Sequence, residues 1–246
     1  MSKGFSSSNL LNLGKENSLT DYILVGCGGF ALEVAEYIKN EDYRLSLVNE
    51  RAIVSDVVSE SSSRFDDICS VLEYFPIIHE STNTIVSPSD KKVLVCLGSP
   101  EDRHRNYTSL KKLGFSFGTL IHGTAWVSES ARVCEGSIVA PFAFIGAKAE
   151  VGANCVVNVR ATVGHDVYLG ESSVLSPHSD MNGASRCGRV SLIGAGAFLD
   201  PEAAIGDYTK VASGSVIKQQ FGDGYLLAGN PAKGRQMYKI GNTDTE

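Results

Sequence analysis

Five histidines and six cysteines are the side chains of this 246-residue sequence best suited to chemistry at neutral pH, and their surroundings separate them. His165 is followed directly by Asp166. Imidazole has an ordinary pKa of about 6.5, so it can take a proton at neutral pH, and an adjacent carboxylate favours its charged form. The pair reads as a general base able to deprotonate an attacking amine or hydroxyl. His178 has two readings, a substrate contact or the cap of a turn, and His122 marks a junction between two parts of the chain. The cysteines, at 27, 69, 96, 134, 155 and 187, form no C-x-x-C pair and no metal-ligand spacing. They read as free thiols of a reducing, cytoplasmic setting. A zinc site would need histidines brought close, whereas 122, 165 and 178 are spread widely, so no metal is expected.

What would position His165 is a repeat. From Ile121, every sixth residue is apolar for seventeen consecutive positions, through Val139, Val163 and Met181 to Ile217. Two residues before each stands a small residue in sixteen of the seventeen cases, among them Ala125, Ser137, Ala161 and Ser215. Gly or Asn often follows the apolar residue, as at Gly146, Asn158, Gly164 and Gly188. Neither a helical period nor an alternation of two accounts for a period of six. A triangular coil does: each hexad is a short strand plus a corner, and three hexads, eighteen residues, close one turn. The aliphatic residue points inward, and Gly or Asn tolerates the dihedrals of the corner. Hexapeptide coils of this kind are expected to wind left-handed, against the usual crossover rule. His165 sits just past the inward Val163, where packing does not require a histidine.

Before the repeat, strand and helix patterns alternate. Tyr22 to Val25 is an apolar run leading into Gly26-Cys27-Gly28-Gly29-Phe30-Ala31 and a helical stretch. A second strand lies near Leu45 to Val48, and Val93 to Leu97 runs into Gly98-Ser99-Pro100 and a charged helix over 101–113. This predicts a small parallel α/β, Rossmann-like domain with ligand space at the carboxyl ends of its strands. The glycine turn could hold a phosphate at Gly28 and Gly29 or bind nothing, since Ala31 stands where a dinucleotide fingerprint has its third glycine. The chain then divides into a polar extension (1–20), the α/β domain (21–118), the coil (119–218) and a C-terminal cap and tail (219–246). A net charge of −6 offers nucleic acid no basic patch, and no stretch approaches the roughly 18 apolar residues of a membrane span.

Both halves together resemble the sugar acetyltransferases that include the bacillosamine-pathway UDP-4-amino-sugar N-acetyltransferase and the sialic acid O-acetyltransferase. The resemblance covers about residues 21 to 235. It rests on the glycine turn, on Leu97-Gly98-Ser99-Pro100-Glu101-Asp102-Arg103, and on Leu120-Ile121-His122. Further matches are Val157-Asn158-Val159, Val163-Gly164-His165-Asp166 and Gly229-Asn230-Pro231-Ala232-Lys233. It implies an acetyl-CoA-dependent enzyme with His165 as base, Asp166 raising its basicity and Asn158 near it. Positions matching Ala195 and Ser213 contact acetyl-CoA, Val174 stands where the family has a histidine at the thioester, and Lys233 lies in a turn that is either a lid over the coenzyme or a plain cap. Nucleotide-sugar contacts fall at Gly28, Gly29 and Phe30, at Asn49 and Glu50, and at Gly98 and Ser99. Phe30 replaces a family histidine, and Asn49-Glu50 replaces two aspartates. The activity so implied is N-acetylation of a nucleotide-linked amino sugar by direct attack on the thioester. O-acetylation of a sialic-acid-like or other hydroxyl, and a coil that has lost its chemistry, are the alternatives. An open coil leaves faces that need a partner, and the family's solution is a homotrimer.

Overall fold

The computed structural model describes residues 21–26, 28–39, 44–48 and 92–237. Asn49 and Glu50, together with Cys27, Cys69, His79 and the 1–20 extension, lie outside the described residues.

The first unit is a parallel sheet of β1 (Asp21–Val25), β2 (Arg44–Val48), β3 (Lys92–Val95) and β4 (Ser116–Phe117), in the order β2-β1-β3-β4. Helix α1 (Gly29–Lys39) follows β1, and α2 (Pro100–Lys112) follows β3. Alternation along the strands sorts their side chains to the two helices. Tyr22, Leu24 and Leu94 join Ala31, Val34, Ala35 and Ile38 of α1, which recur at helical spacing. Ile23, Val25, Val93 and Val95 join Tyr107 and Leu110 of α2 on the opposite face. Strands buried on both faces read as continuous apolar runs, as these do. Ser99 caps α2 by accepting the Asp102 amide at 3.3 Å, and Pro100 occupies its first turn.

From β5 (Leu120–Ile121) to β21 (Val216–Ile217), two-residue strands recur every six residues and wind into a parallel solenoid. Up to the strand Phe198–Leu199, each pairs with the one eighteen residues on, as Thr162 with Asp180 and Val163 with Met181. Three hexads therefore close a turn, and the coil has three flat faces, taken here in chain order from Leu120, Trp126 and Arg132. The interior is the aliphatic seam read from the sequence, including Val139, Val163, Leu169, Leu175, Met181, Cys187 and Leu199, all fully buried. Ile121 departs from it: it is 41% exposed, because it pairs with Val139 at the open mouth of the coil with no turn beyond it. At the other end β22 (Gln220–Phe221) and the hairpin of β23 (Tyr225–Gly229) and β24 (Ala232–Gln236) continue the sheets, and buried Leu227 closes the core.

The corners are built differently from expectation. From Gly136 to Gly214 every sixth residue has φ between 54° and 74°, and eleven of these residues are not glycine. They lie three positions after the inward aliphatic, whereas the glycines that directly follow it have no such φ. Those glycines are required by close approach instead. A Cβ on Gly188 would fall 2.4 Å from the backbone of Gly206 in the next turn. The small seam residues also do more than fit. On one corner Ser173 Oγ accepts the Ser191 amide and donates to the Gly188 carbonyl, and Ser191 does the same with Thr209 and Gly206.

Helix α2 lies along the coil and joins the two units. Tyr107 and Lys111 bond to Glu135 at 2.9 and 2.8 Å. Arg103 reaches Asn154, His104 Nδ1 is 3.3 Å from Glu171, and Glu101 pairs with Lys210 at 2.8 Å. Moving back along the helix thus climbs the coil from 135 to 210. A helix of 13 residues is about 20 Å long at 1.5 Å per residue, which matches about four turns spaced by roughly 4.8 Å. The outward residues of the first face, Leu120, Ile138, Val156 and Val174, are buried, the first two in the same cluster as α1.

Candidate active site

His165 stands on the corner between the second and third faces, where Gly164 leaves the strand Thr162–Val163. Its backbone is held from both sides: Asp166 N donates to Ala147 O, and Ala184 N donates to His165 O, each at 2.9 Å. Asp166 occupies one of the corner positions with positive φ, at 58°. Its Oδ2 lies 2.9 Å from His165 Nδ1. A carboxylate at Nδ1 holds the proton there and leaves the Nε2 lone pair as the acceptor, the tautomer a general base requires. The imidazole is 70% exposed, and its Nε2 edge lies over Gly183 of the following turn. A Cβ on Gly183 would come within 2.4 Å of Nε2, so this glycine makes room for the ring.

The other predicted positions fall on separate parts of the surface. Asn158 is in the same turn as His165 but on the corner between the first and second faces, with its Oδ1 accepting the Val159 amide at 2.7 Å. Ala195 and Ser213 lie on that same corner, one turn apart and exposed. The residues after them, Gly196 and Gly214, take the corner positions that Phe142, Arg160 and His178 take in the three turns before. A Cβ at either glycine would meet nothing within 4 Å. This corner therefore carries side chains up to His178 and is bare beyond it, an exposed shelf along two turns. His178 sits at its edge, exposed, at φ 59°. Val174 is only 5% exposed, on the first face. Lys233 is exposed on β24, opposite Ala228, in a hairpin whose neighbouring strand closes the core. The second face, between the His165 corner and the shelf, presents Trp126, Phe144 and Phe198 at 54%, 41% and 39% exposure. The Trp126 and Phe144 rings stack with centroids 4.7 Å apart.

On the α/β unit, Gly28 and Gly29 follow β1, and Gly98 and Ser99 follow β3. These are neighbouring parallel strands tied at their ends by Cys96 N donating to Val25 O at 2.8 Å. Gly28, Gly29 and Gly98 are exposed, and a Cβ at any of them would meet nothing within 4 Å. The two turns thus form one open edge at the carboxyl end of the sheet, next to the start of α1, where ligands of open parallel sheets bind. Phe30 packs against the α1 cluster, and Ser99 is engaged as the α2 cap. His122 meets Tyr37 of α1 edge-on at 5.5 Å, so it marks the junction as expected. Cys96, Cys134, Cys155 and Cys187 are free thiols, and burial pushes Cys96 and Cys155 up to about 12, which leaves them neutral and unreactive.

Arg103 had no role in the sequence reading and is fully buried here. Its signal was present: 103, 107 and 110 form one helical stripe, whose other members are Tyr107 and Leu110. Among the described residues no group of three or more His, Cys, Asp or Glu could hold a metal ion, and no helix is long and apolar enough to cross a membrane.

No family model matches the chain. Solved structures do. The acetyltransferase domain of PglB from Neisseria gonorrhoeae, in complex with acetyl coenzyme A, is 29% identical with a TM-score of 0.74, over 89% of this chain and 100% of that one. A histidine-to-asparagine variant of perosamine N-acetyltransferase from Caulobacter crescentus, in complex with CoA and GDP-perosamine, is 27% identical with a TM-score of 0.70, over 89% and 98%. WeeI from Acinetobacter baumannii shares the fold, at 18% identity and a TM-score of 0.69, over 89% and 100%. The period-six repeat, the solenoid of about six turns and the likeness to the first two of these enzymes fit a hexapeptide-repeat sugar acetyltransferase.

Proposed function

We propose that this protein transfers the acetyl group of acetyl-CoA to the amine of a nucleotide-linked amino sugar, with His165 as general base. The observation that carries the reading is the His165–Asp166 pair, 2.9 Å apart at Nδ1, with the Nε2 edge of an exposed ring lying over Gly183. The acceptor amine attacks the thioester carbonyl carbon directly and gives its proton to Nε2, and the coenzyme leaves as its thiol when that proton returns to sulfur. No acyl-enzyme is needed, in keeping with the burial that raises the thiol pKa of Cys96, Cys155 and Cys187. Two of the similar enzymes of known structure carry acetyl-CoA in one case, and CoA with GDP-perosamine in the other, which favours an amine on a nucleotide-linked sugar as the acceptor.

The shelf at Ala195, Gly196, Ser213 and Gly214 suits the pantetheine arm, because neither glycine carries a Cβ to fill it. Lys233 supplies a cation for the coenzyme phosphates. The sugar nucleotide would lie with its phosphates on Gly28 and Gly29, beside Gly98 and Ser99, with Asn49 and Glu50 following β2; the α/β unit is then Rossmann-like. Within one chain the base and the shelf stand on opposite edges of the second face. A homotrimer packed through the aromatic residues of that face would set the base of one copy beside the shelf of the next, with Asn158 at the junction.

The test is thiol release from acetyl-CoA with GDP-perosamine, UDP-linked 4-amino sugars and sialic acids, using wild type and His165→Ala in parallel. Turnover that falls by about 10²-fold or more in the variant supports the base. Unchanged turnover in His165→Ala overturns it. A product whose acetyl group is lost in mild alkali would be an ester and would move the assignment to O-acetylation. An amide survives that treatment.

A further inference from the structure

We propose that Arg103 is a positioning residue: it locks the loop at the end of β3, which carries Gly98 and Ser99, to the coil at Asn154. This rests on the reading of Gly98 and Ser99 as part of the sugar-nucleotide site. The guanidinium is fully buried and no carboxylate faces it in the hydrogen bonds it makes. Its five N–H donors are matched one for one. Nε donates to the Asn154 carbonyl at 3.0 Å. One terminal nitrogen donates to the carbonyls of Val95 and, at 3.2 Å, Leu97. The other donates to the Asn154 carbonyl at 2.7 Å and to its Oδ1 at 2.9 Å. Asn154 answers through Nδ2, donating to the Arg103 carbonyl at 3.1 Å and to Ser172 Oγ at 2.9 Å.

Burying a cation without a counter-ion is costly, and breaking any of its bonds leaves it worse satisfied. A side chain whose only task was to fill this space would be cheaper as Leu or Met. What the fork joins explains its chemistry. Val95 ends β3 and Leu97 begins the loop to Gly98, so two of the carbonyls belong to the edge where the sugar nucleotide is placed. The third belongs to Asn154, fully buried at a corner residue with φ 56°, in the turn immediately before that of His165. Beside the apolar contact of α1 with Leu120 and Ile138, the ion pairs that join α2 to the coil, Glu135–Lys111, Glu171–His104 and Glu101–Lys210, are exposed or half-exposed and fix its position less sharply. Lys cannot substitute, since an ammonium has three donors and no planar fork.

The experiment uses the full chain with Arg103→Lys, Arg103→Met and Asn154→Gly, the last keeping the backbone carbonyl and tolerating the positive φ. Amide hydrogen exchange is followed at 95–99 and, as internal control, in the coil strands from 156 to 199. Kinetics are measured with acetyl-CoA and whichever sugar nucleotide of the panel above the wild type turns over. Positioning predicts exchange at 95–99 faster by about tenfold or more with the coil strands unchanged. It also predicts a sugar-nucleotide KM raised about tenfold or more, with acetyl-CoA KM within about twofold of wild type. Unaltered exchange at 95–99 in folded Arg103 variants overturns the proposal, as does an equal rise in both KM values. If both Arg103 variants fail to fold, Asn154→Gly decides on the same readouts. A wild type inactive with every acceptor defeats the functional reading instead, and the exchange data still judge the lock.

Discussion

At the scale of single residues, the proposed chemistry depends on what surrounds His165 rather than on the histidine alone. The carboxylate at Nδ1 selects the tautomer, the two backbone bonds to neighbouring turns fix the corner, and Gly183 leaves space for the ring. The last of these can be tested without touching the base. Gly183 has no positive φ, and the three atoms nearest its added Cβ belong to the imidazole, Nε2 the closest at 2.4 Å. Gly183→Ala should therefore fold normally, with stability within about 0.5 kcal/mol of wild type, while the ring is displaced. A displacement of that kind costs up to about 10²-fold in rate, so kcat should fall at least about tenfold with acetyl-CoA KM little changed. Thermal melts and steady-state kinetics on the same preparation check this; unchanged kcat would mean that the ring is free to work from another rotamer. The His165–Asp166 pair was legible in the sequence because imidazole beside carboxylate is chemistry that a packing position does not need. Gly183 and Arg103 were not, because their roles come from residues 18 and 51 positions away, His165 and Asn154.

At the scale of the repeating element, the period of six was plain, but the division of labour within each hexad was not. Sequence reasoning gave the corner dihedral to the glycine after the aliphatic, since glycine usually marks positive φ. The structure gives it to the residue two places later, which is far more often a residue such as Phe142, Glu202 or Tyr208 than glycine, and gives the glycine the contact between stacked turns. A pattern of residue types cannot distinguish these two demands, because both favour a missing Cβ. Two substitutions can. Gly188→Ala forces a Cβ to 2.4 Å from the Gly206 backbone and should cost about 1–3 kcal/mol or more, since the coil cannot yield there without unstacking. Glu202→Gly relieves a residue at φ 63°, worth about 1–2 kcal/mol, against about 0.5–1 kcal/mol of added chain entropy, so it should be neutral or slightly stabilising. Denaturant midpoints for the two variants should move in opposite directions or differ by at least about 1 kcal/mol. The seam hydroxyls offer a third check. Ser191→Ala removes the acceptor of the buried Thr209 amide, and should cost about 1–3 kcal/mol although alanine is the residue the same position carries in other hexads.

For the whole molecule, the coil uses its three outward faces differently. The first carries the α/β unit over Leu120 and Ile138, and the third is polar, with Arg132, Glu150, Tyr168 and Arg186 exposed. The second bears Trp126, Phe144 and Phe198, large apolar side chains in a column that Thr162 and Asp180 interrupt between Phe144 and Phe198. An exposed apolar column of this kind marks an interaction surface. The sequence predicts outward faces that need a partner, because inward and outward positions separate cleanly at period six. Which face a partner would cover is not legible there, because it depends on where α2 lays the first domain, a matter of contacts such as Tyr107 to Glu135 and Glu101 to Lys210. If the second face joins copies, assembly and catalysis must fail together, since the base and the shelf lie on its opposite edges. Phe144→Glu tests this by placing a charge beside the stacked Trp126 without altering an inward residue. The expected result is a folded monomer of 26.2 kDa by sedimentation, with the circular dichroism of the wild type and acetyl transfer reduced by 10²-fold or roughly that much. A variant that sediments as wild type would place the interface on another face. One that is monomeric yet fully active would show that a single chain brings its own base and shelf together, and would remove the reason for assigning the site to the junction between copies.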